Sequence, residues 1–455
     1  MFHVFFIPLR KKFLFNKYSE KMKTEKSKNP FLVAGYISPE YFCDREKETA
    51  HIISALHNGR TISLISPRRF GKTGLIHHVF CFYFDIFSTQ KNKFFFNLCW
   101  LLSVFLLFSC QSTDYIKITD AYLFKDKSFQ DVQYLTSNIV NDTFIGNPVR
   151  LTKIDTLIYV VDSKLDSLVH IFDIKNNVYK GLGISKGNGP NELLSVGHVT
   201  PSIDKKSVWA HDITSRQWKQ YDRELNTVID KIQFSQNINN KLYQIDEPQW
   251  ISDNLFVCLN FYSHKERFYV VNRDLTDITP VFNPQFSFDD NVPSSLMDDI
   301  FSSSIHVRPD KKKVVLTGRY LDCIEIYNID GSLTKLLKGP ETNFNFKFDK
   351  NRSVARGAVI KTPDSRRAYL CVKSTNDRIY ALYSGKERGD SPDYPDYSYS
   401  NIIYTFDWEG NLLKKYVLDC QIGDFDVDES TQTIYAINDM DSSIVSFNLL
   451  DDKTL

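Results

Sequence analysis

One pattern recurs between residues 157 and 448: a short apolar strand, a turn, and a second strand that ends on an acidic or amide side chain. Leu157-Ile-Tyr-Val-Val-Asp162 precedes Leu168-Val-His-Ile-Phe-Asp173, and Val208-Trp-Ala-His-Asp212 precedes Gln217-Trp-Lys-Gln-Tyr-Asp222. Residues 255–259 precede 267–272, 314–317 precede 323–328, 368–371 precede 402–407, and 433–438 precede 444–448. The second strands end at 173, 222, 272, 328, 407 and 448, in steps of 49, 50, 56, 79 and 41 residues. A four-stranded propeller blade recurs about every 40–50 residues. The one long step holds a polar stretch, residues 386–398, read as a loop inserted in the fifth unit. Strands are short, rich in aromatics and bounded by Asp, Asn, Gly and Ser turns, which is all-β texture. A two-sheet sandwich would not produce six near-even units, so the pattern predicts a six-bladed β-propeller. Such rings close so that few strand edges stay exposed. The strand at 115–119 is expected to complete the last blade.

What precedes the repeats is of another kind. Residues 1–93 carry sixteen Lys+Arg and seven Asp+Glu, a net of +9, which leaves −8 for the remainder of a chain whose total is +1. Such asymmetry suggests two origins. Residues 1–28 read as a basic, disordered leader and not as a nucleic-acid arm. Residues 91–110 have the layout of a secretory signal: Lys91 and Lys93, an apolar run over 94–109, and a small residue before Cys110. As a helix that run would span about 24 Å, against about 30 Å of bilayer hydrocarbon. It suits a signal or a short anchor better than a full span. The lysines place residues 1–93 on the cytoplasmic side and the rest outside.

Between leader and signal, residues 29–90 include an apolar strand, 62–65, the loop Ser66-Pro-Arg68-Arg69-Phe-Gly71-Lys72-Thr73, and a helix-like stretch. Strand, loop and helix in that order are the context of a phosphate-binding loop. Its backbone N–H groups would cradle phosphate. Lys72 would reach the β- and γ-phosphates, and Thr73 would ligate Mg²⁺. Ser66 stands where a first glycine is usual. The piece has no acidic strand to complete an ATPase before the signal. One strand and one helix cannot form the parallel sheet on which a nucleotide sits. A truncated remnant is expected, with ATP and Mg²⁺ possible at the loop.

Two resemblances add to these readings. Residues 22–88, through Asn29-Pro30-Phe31, Gly35-Tyr36, residues 41–46 and Ser66-Pro67-Arg68-Arg69, resemble the opening of AAA-type P-loop ATPases. Residues 110–455 resemble the TolB-like six-bladed β-propeller lipoproteins of Gram-negative bacteria, through residues 183–193, 403–411 and 425–436. Residues 107–110 resemble a lipobox, which implies lipidation at Cys110 and a cell-envelope location. The expected organisation is therefore a leader (1–28), a P-loop fragment (29–90), a signal or anchor (91–110) and a propeller (111–455).

Chemistry inside the propeller is sparsely marked. Gly187-Asn-Gly189-Pro190 lacks the lysine and helix of a phosphate loop and reads as a tight turn. Asp407-Trp-Glu-Gly410-Asn411 reads as a hairpin turn. Asp424, Asp426 and Asp428 alternate without the EF-hand glycine and distal glutamate, and read as a solvent-facing strand edge. Cys258, Cys323, Cys371 and Cys420 lack C-x-x-C spacing, so no zinc site is expected; free thiols and disulfides both stay open. His170, His198, His211, His264 and His306 are scattered, although a propeller's channel gathers distant residues. No nucleophile elbow is present. The reading is a binding or interaction module needing no cofactor, held to the membrane by Cys110 or the 94–109 helix. Its partner, a protein or small molecule and not nucleic acid, sits at the propeller face. An ATP-binding protein and a propeller hydrolase or lyase are the alternatives.

Overall fold

The computed structural model describes residues 116–141, 146–234, 244–261, 265–288, 300–341, 366–388 and 396–450, with a few single positions besides. The chain divides into two compact units, Met1–Gln111 and Ser112–Leu455. Of the first, only Lys47, residues 49–52 and Val79 are described. Ser66 to Thr73, the apolar run 94–109 and Cys110 lie outside the described residues, as does His264. Among the described residues no helix is long and apolar enough to cross a membrane.

The second unit is a β-propeller. Its first strands are β1 (Ile116–Ile118), β2 (Tyr122–Leu123), β3 (Asp131–Leu135) and β4 (Asn138–Asn141). Four-stranded antiparallel sheets follow, each running in simple order. They are β5 (Pro148–Ile154), β6 (Leu157–Asp162), β7 (Ser167–Asp173), β8 (Val178–Ser185); then β9 (His198–Pro201), β10 (Val208–Asp212), β11 (Gln217–Tyr221), β12 (Val228–Gln233); then β13 (Ile245–Trp250), β14 (Leu255–Asn260), β15 (Glu266–Asn272), β16 (Ile278–Phe282). Strand β17 (Phe286–Phe288) pairs with β1, and β18 (Ser303–Val307), β19 (Lys313–Gly318), β20 (Cys323–Asn328) and β21 (Leu333–Lys338) form the next sheet. The last sheet runs β22 (Tyr369–Ser374), β23 (Ile379–Tyr383), β24 (Ser400–Phe406), β25 (Leu412–Asp428), β26 (Thr433–Asn438), β27 (Ile444–Asn448), then β4. The first part of β25 pairs with β24 and its end, from Ile422, with β26. Innermost strands touch in a cycle: β5 on β9, β9 on β13, β13 on β18, β18 on β22, β22 on β25, and β25 on β5.

The sequence explains the layering. Middle strands are covered on both faces by neighbouring sheets, so Leu157–Asp162 and Ile379–Tyr383 are buried at every position. Outer strands alternate, as Val228–Gln233 does, because one face meets water. The core lies in apolar seams between successive sheets. In one of them Trp218 stacks on Trp250 with ring centroids 4.8 Å apart, and Trp209 packs 4.9 Å from Trp218.

The acidic or amide residue that closes each repeat has a mechanical reason. Asp173 accepts the N–H groups of Lys175 and Asn176, and Asp222 those of Glu224, Asn226 and Thr227. Asn272 accepts from Asp277, and Asp407 from Glu409 and Asn411. These side chains fold the hairpin back on itself. Gly410 in the last of these turns has φ +82°, while Leu225 and Leu275 hold the matching left-handed position at φ +60° and +59°. The Asp407–Asn411 turn forms as expected, as does the turn at Gly187–Pro190, closed by Glu192, whose carboxylate takes the Gly189 N–H at 2.7 Å.

Three expectations need correction. Ile116–Ile118 does not complete the last blade; it pairs with Phe286–Phe288, and the closing strand is Asn138–Asn141 on β27. In the fifth repeat Tyr369–Ser374 is the innermost strand, and the true middle strand is Ile379–Tyr383. It was hidden because the inserted loop separates it from β24. Asp424, Asp426 and Asp428 do not form a solvent-facing edge: they lie on the innermost part of β25, against the first sheet. The four cysteines left open are free thiols.

A buried ion pair joins two sheets. Arg267 on β15 forks onto Glu325 on β20 at 2.7–3.1 Å, and also donates to the Phe301 carbonyl and Ser303. Glu325 takes two more bonds, from Asn283 and Tyr327. Removing one partner strands a buried charge, so Glu325→Ala should lower the unfolding free energy by about 3–5 kcal/mol. Replacing both by Met and Leu should cost far less. Urea unfolding of the two variants checks this, and equal losses would refute it.

Candidate functional site

The innermost strands carry polar side chains where middle strands carry apolar ones. Their inner edges present N–H groups that no further strand pairs. Side chains of the neighbouring inner strand satisfy several of them. Asp424 Oδ2 accepts the Leu151 N–H and Asp426 Oδ2 the Lys153 N–H, both at 2.8 Å. Glu247 Oε2 and Gln249 Oε1 accept from Ile305 and Val307 at 2.9 and 3.0 Å in the same two-residue rhythm. Lys153 adds an ion pair with Asp428. Glu247 achieves its reach at a bulge in β13, with φ +46°. Strained non-glycine backbone of this kind collects at functional sites.

These strands bring Arg150, His198, Glu247, Ser304, His306, Cys371, Lys373 and Asp424 around one small central cavity of about 10 Å³, room for about one water. Every innermost strand contributes. Arg150 Nη2 stands 3.9 Å from Glu247 Oε1, and Arg319 donates to the same oxygen at 3.0 Å. Lys373 Nζ lies 3.4 Å from the Leu151 carbonyl. His306 Nδ1 meets Ser374 Oγ at 2.8 Å. Asp424 is 1% exposed, and its Oδ1 has no hydrogen-bond partner among the described residues; nor has His198 Nδ1.

Burial and charge set the ionisation. Burial would lower the Arg150 and Lys373 values, but Asp424 with Glu247, and Asp424 with Asp426, outweigh it and hold both cations protonated. Burial would raise Glu247, but Arg319 and Arg150 bring it below the carboxylate range. Asp426 is raised by burial, in part offset by Lys373. Burial, helped by Lys373 and Arg150, lowers His198 to about 4, and burial with Lys373 lowers His306 well below its ordinary value. Burial pushes the Cys371 thiol well up, and the adjacent Asp424 adds to it. The cavity is thus a water-poor place with fixed charges of both signs, neutral imidazoles and a protonated thiol. That suits holding a polar molecule. It offers no activated nucleophile.

Of the residues singled out from sequence, His198, His306, Cys371 and Asp424 meet here. His170 sits in the first sheet against Asp162 and Tyr179, and His211 pairs across from His198 on β10. Arg150, Glu247 and Lys373 went unnoticed, because the repeat was read from middle strands. The available signal was a charged residue in the strand ahead of each apolar pair.

A family model described as "TolB-like 6-blade propeller-like" matches residues 127–430. The fold is similar to a member of the DUF4221 family from Bacteroides vulgatus, at 12% identity and TM-score 0.48, covering 70% of this chain and 96% of that one. It is also similar to a Bacteroides fragilis protein described as exported, at 13% identity and TM-score 0.46, covering 72% and 98%. No curated protein matches the chain.

The buried imidazoles predict acid lability. His211, 1% exposed, is lowered to about 3 by burial and by His198. Below about pH 6.5 an unfolded chain protonates His198, His211 and His306, which the folded chain keeps neutral. Their contribution is complete above that pH and is lost as pH falls toward the folded values. Asp322, raised to about 7 by burial, acts in the opposite sense, since the folded chain holds its proton longer, and so do Asp246 and Asp426, also raised by burial. His211→Phe removes one of the three rings and none of these carboxyls, so between about pH 6.5 and 4 its urea midpoint should lose less, or gain more, than that of the wild type. Parallel profiles for the two proteins would contradict this.

Proposed function

The chain belongs to the TolB-like 6-blade propeller-like family, and on that premise we propose that it is a six-bladed, exported binding module whose ligand or partner engages the central cavity. Six inner strands touching in a cycle support the blade count, with β25 serving two blades: its start ends the fifth and its end opens the sixth. The observation that carries the binding reading is the buried, unsatisfied Asp424 Oδ1 in a cavity fed by every inner strand. Buried polar atoms are ordinarily paired, and a bound group is what would pair this one. Charges of both signs, on a propeller-side sequence that is net negative, argue against nucleic acid, which needs a surplus of cations.

Lipidation of Cys110 would tether the propeller to the envelope membrane, with the 94–109 run as the anchor in unprocessed chain. Residues 29–90 are read as a vestigial nucleotide loop, in which Ser66, Arg68, Arg69, Gly71, Lys72 and Thr73 would face ATP and Mg²⁺ if any binding survives. The propeller itself needs no cofactor for such a role.

Intact mass from native membranes tests the anchor: the expected chain begins at a lipid-modified Cys110, and an unmodified chain starting upstream refutes it. If the upstream piece persists and binds ATP, Lys72→Ala should abolish that binding. Native mass spectrometry of the purified full chain tests the cavity. A co-purifying species lost in Lys373→Met, with the circular dichroism unchanged, is the expected result. A species retained by Lys373→Met would place binding elsewhere.

A further inference from the structure

Tyr122, Leu123 and Phe282 are 50%, 61% and 50% exposed, and they belong to one stretch of the outer rim, where the third and fourth sheets meet. Beside the pairing of β1 with β17, the Thr119 N–H donates to the Gln285 carbonyl at 2.9 Å. Phe282 stands three residues before Gln285, and Tyr122 three after Thr119. Tyr122 and Leu123 then pair with Leu337 and Lys338 at the outer edge of the fourth sheet. Single exposed apolar side chains are ordinary, but a group of them framed by polar residues marks an interaction surface.

The frame here is cationic. Lys335 Nζ lies 5.2 Å from the centre of the Tyr122 ring. Lys117, Lys125, Lys127 and Lys338 form no ion pair among the described residues. Of the acids close by, Asp126 is taken by Lys415 at 2.6 Å, and Glu341 stands 3.7 Å from Arg366. Asp120 remains, with Glu266, which lies opposite Phe282 on β15. Asp277 and Asp330 sit in the hairpins at the far ends of β16 and β21. Lysines therefore outnumber acids on this patch, although the propeller-side sequence is net negative. On β8 the contrast is plain: Val178 and Leu182 are each 50% exposed, but Lys180 between them is bound to Glu224 at 2.6 Å.

Chain length supplies the occupant. Ile116 follows Cys110 by six positions, and six residues reach at most about 20 Å. Whether lipid on Cys110 or the 94–109 run is the anchor, it keeps this rim close to the bilayer surface.

We propose that the rim around Tyr122, Leu123 and Phe282 rests on the membrane surface, the three apolar side chains entering the headgroup boundary and the lysines facing anionic phospholipid headgroups. The proposal rests on the anchor reading above and adds the protein surface that meets the lipid. Tyrosine suits such a boundary, having an apolar ring and a polar tip. The ring then stands edge-on, with both of its faces clear of the lipid.

The test uses the full chain, purified from native membranes and returned to vesicles of phosphatidylethanolamine with phosphatidylglycerol, or of phosphatidylcholine alone. Flotation reads attachment, and hydroxyl-radical footprinting reads which side chains the bilayer covers. Each oxidation rate is divided by that of the denatured chain, which removes intrinsic reactivity. Val178 and Leu182 are the internal standard, since they are as exposed as Tyr122 and Phe282 and lie on the first sheet, three sheets away round the ring. The expected result is that Tyr122, Leu123 and Phe282 are oxidised more slowly than Val178 and Leu182. The difference should be larger with phosphatidylglycerol than without it, and should shrink in high salt, which screens the lysines. Leu123→Asp with Phe282→Asp should lose the protection of Tyr122, with flotation and circular dichroism unchanged. If that variant misfolds, Lys117→Glu with Lys125→Glu replaces it, both side chains being exposed, and should lose the dependence on phosphatidylglycerol. Vesicles that float while all five residues are oxidised alike would overturn the rim contact and leave the anchor standing. A chain that does not float would overturn both. Protection that disappears as the protein is diluted on the vesicles would assign the patch to a second copy of the chain and overturn the proposal.

Discussion

The ring depends on how the exposed edges of the innermost strands are satisfied. Each such strand pairs outward within its own sheet and offers its inner N–H groups to nothing in that sheet. An unpaired buried amide costs about as much as a lost hydrogen bond. Carboxylates and amides on the neighbouring inner strand take up that cost. Asp424 and Asp426 do so for Leu151 and Lys153, and Glu247 and Gln249 for Ile305 and Val307. The first pair joins residues 273 apart in the chain. It closes the circle from the side of the channel, while Asn138–Asn141 on β27 closes it from the outer rim.

That solution determines what the channel is. Carboxylates placed to accept backbone N–H groups bring negative charge to the centre, and Arg150, Lys153, Lys373 and Arg319 come in to balance it. The apolar seams, with the tryptophan cluster of Trp209, Trp218 and Trp250, hold the sheets together around it. Stability is concentrated in the seams and polarity at the axis. The leftover acceptor on Asp424 and donors on Lys373 are then departures from an otherwise well-satisfied network, and departures of that kind gather at functional sites.

Much of the fold was legible before any coordinates. Middle strands announce themselves as continuous apolar runs, because neighbouring sheets cover both their faces. The terminal Asp or Asn of each third strand is legible because an Asx side chain is what turns the hairpin. Where the reading slipped, a physical reason is visible. Ile379–Tyr383 ends in no such residue and is separated from its partner by the inserted loop. The segment 116–141 adds short strands to the outer edges of several sheets, β2 and β3 in parallel, and pairings so remote leave no periodic trace. Innermost strands mix polar with apolar side chains, so Arg150, Glu247 and Lys373 do not stand out in an apolar run.

The sequence by itself determined the all-β class, the repeat length, the turns and the apolar seams. These follow from local alternation and turn chemistry, which act over a few residues. Tertiary structure alone decided which strand closes the ring, that Asp424, Asp426 and Asp428 face inward, and that Arg150, His198, Glu247, Lys373 and Asp424 share one cavity. Those residues are spread over more than 270 positions. Only closure of the ring sets one from each distant inner strand beside the others, and no local rule carries that information.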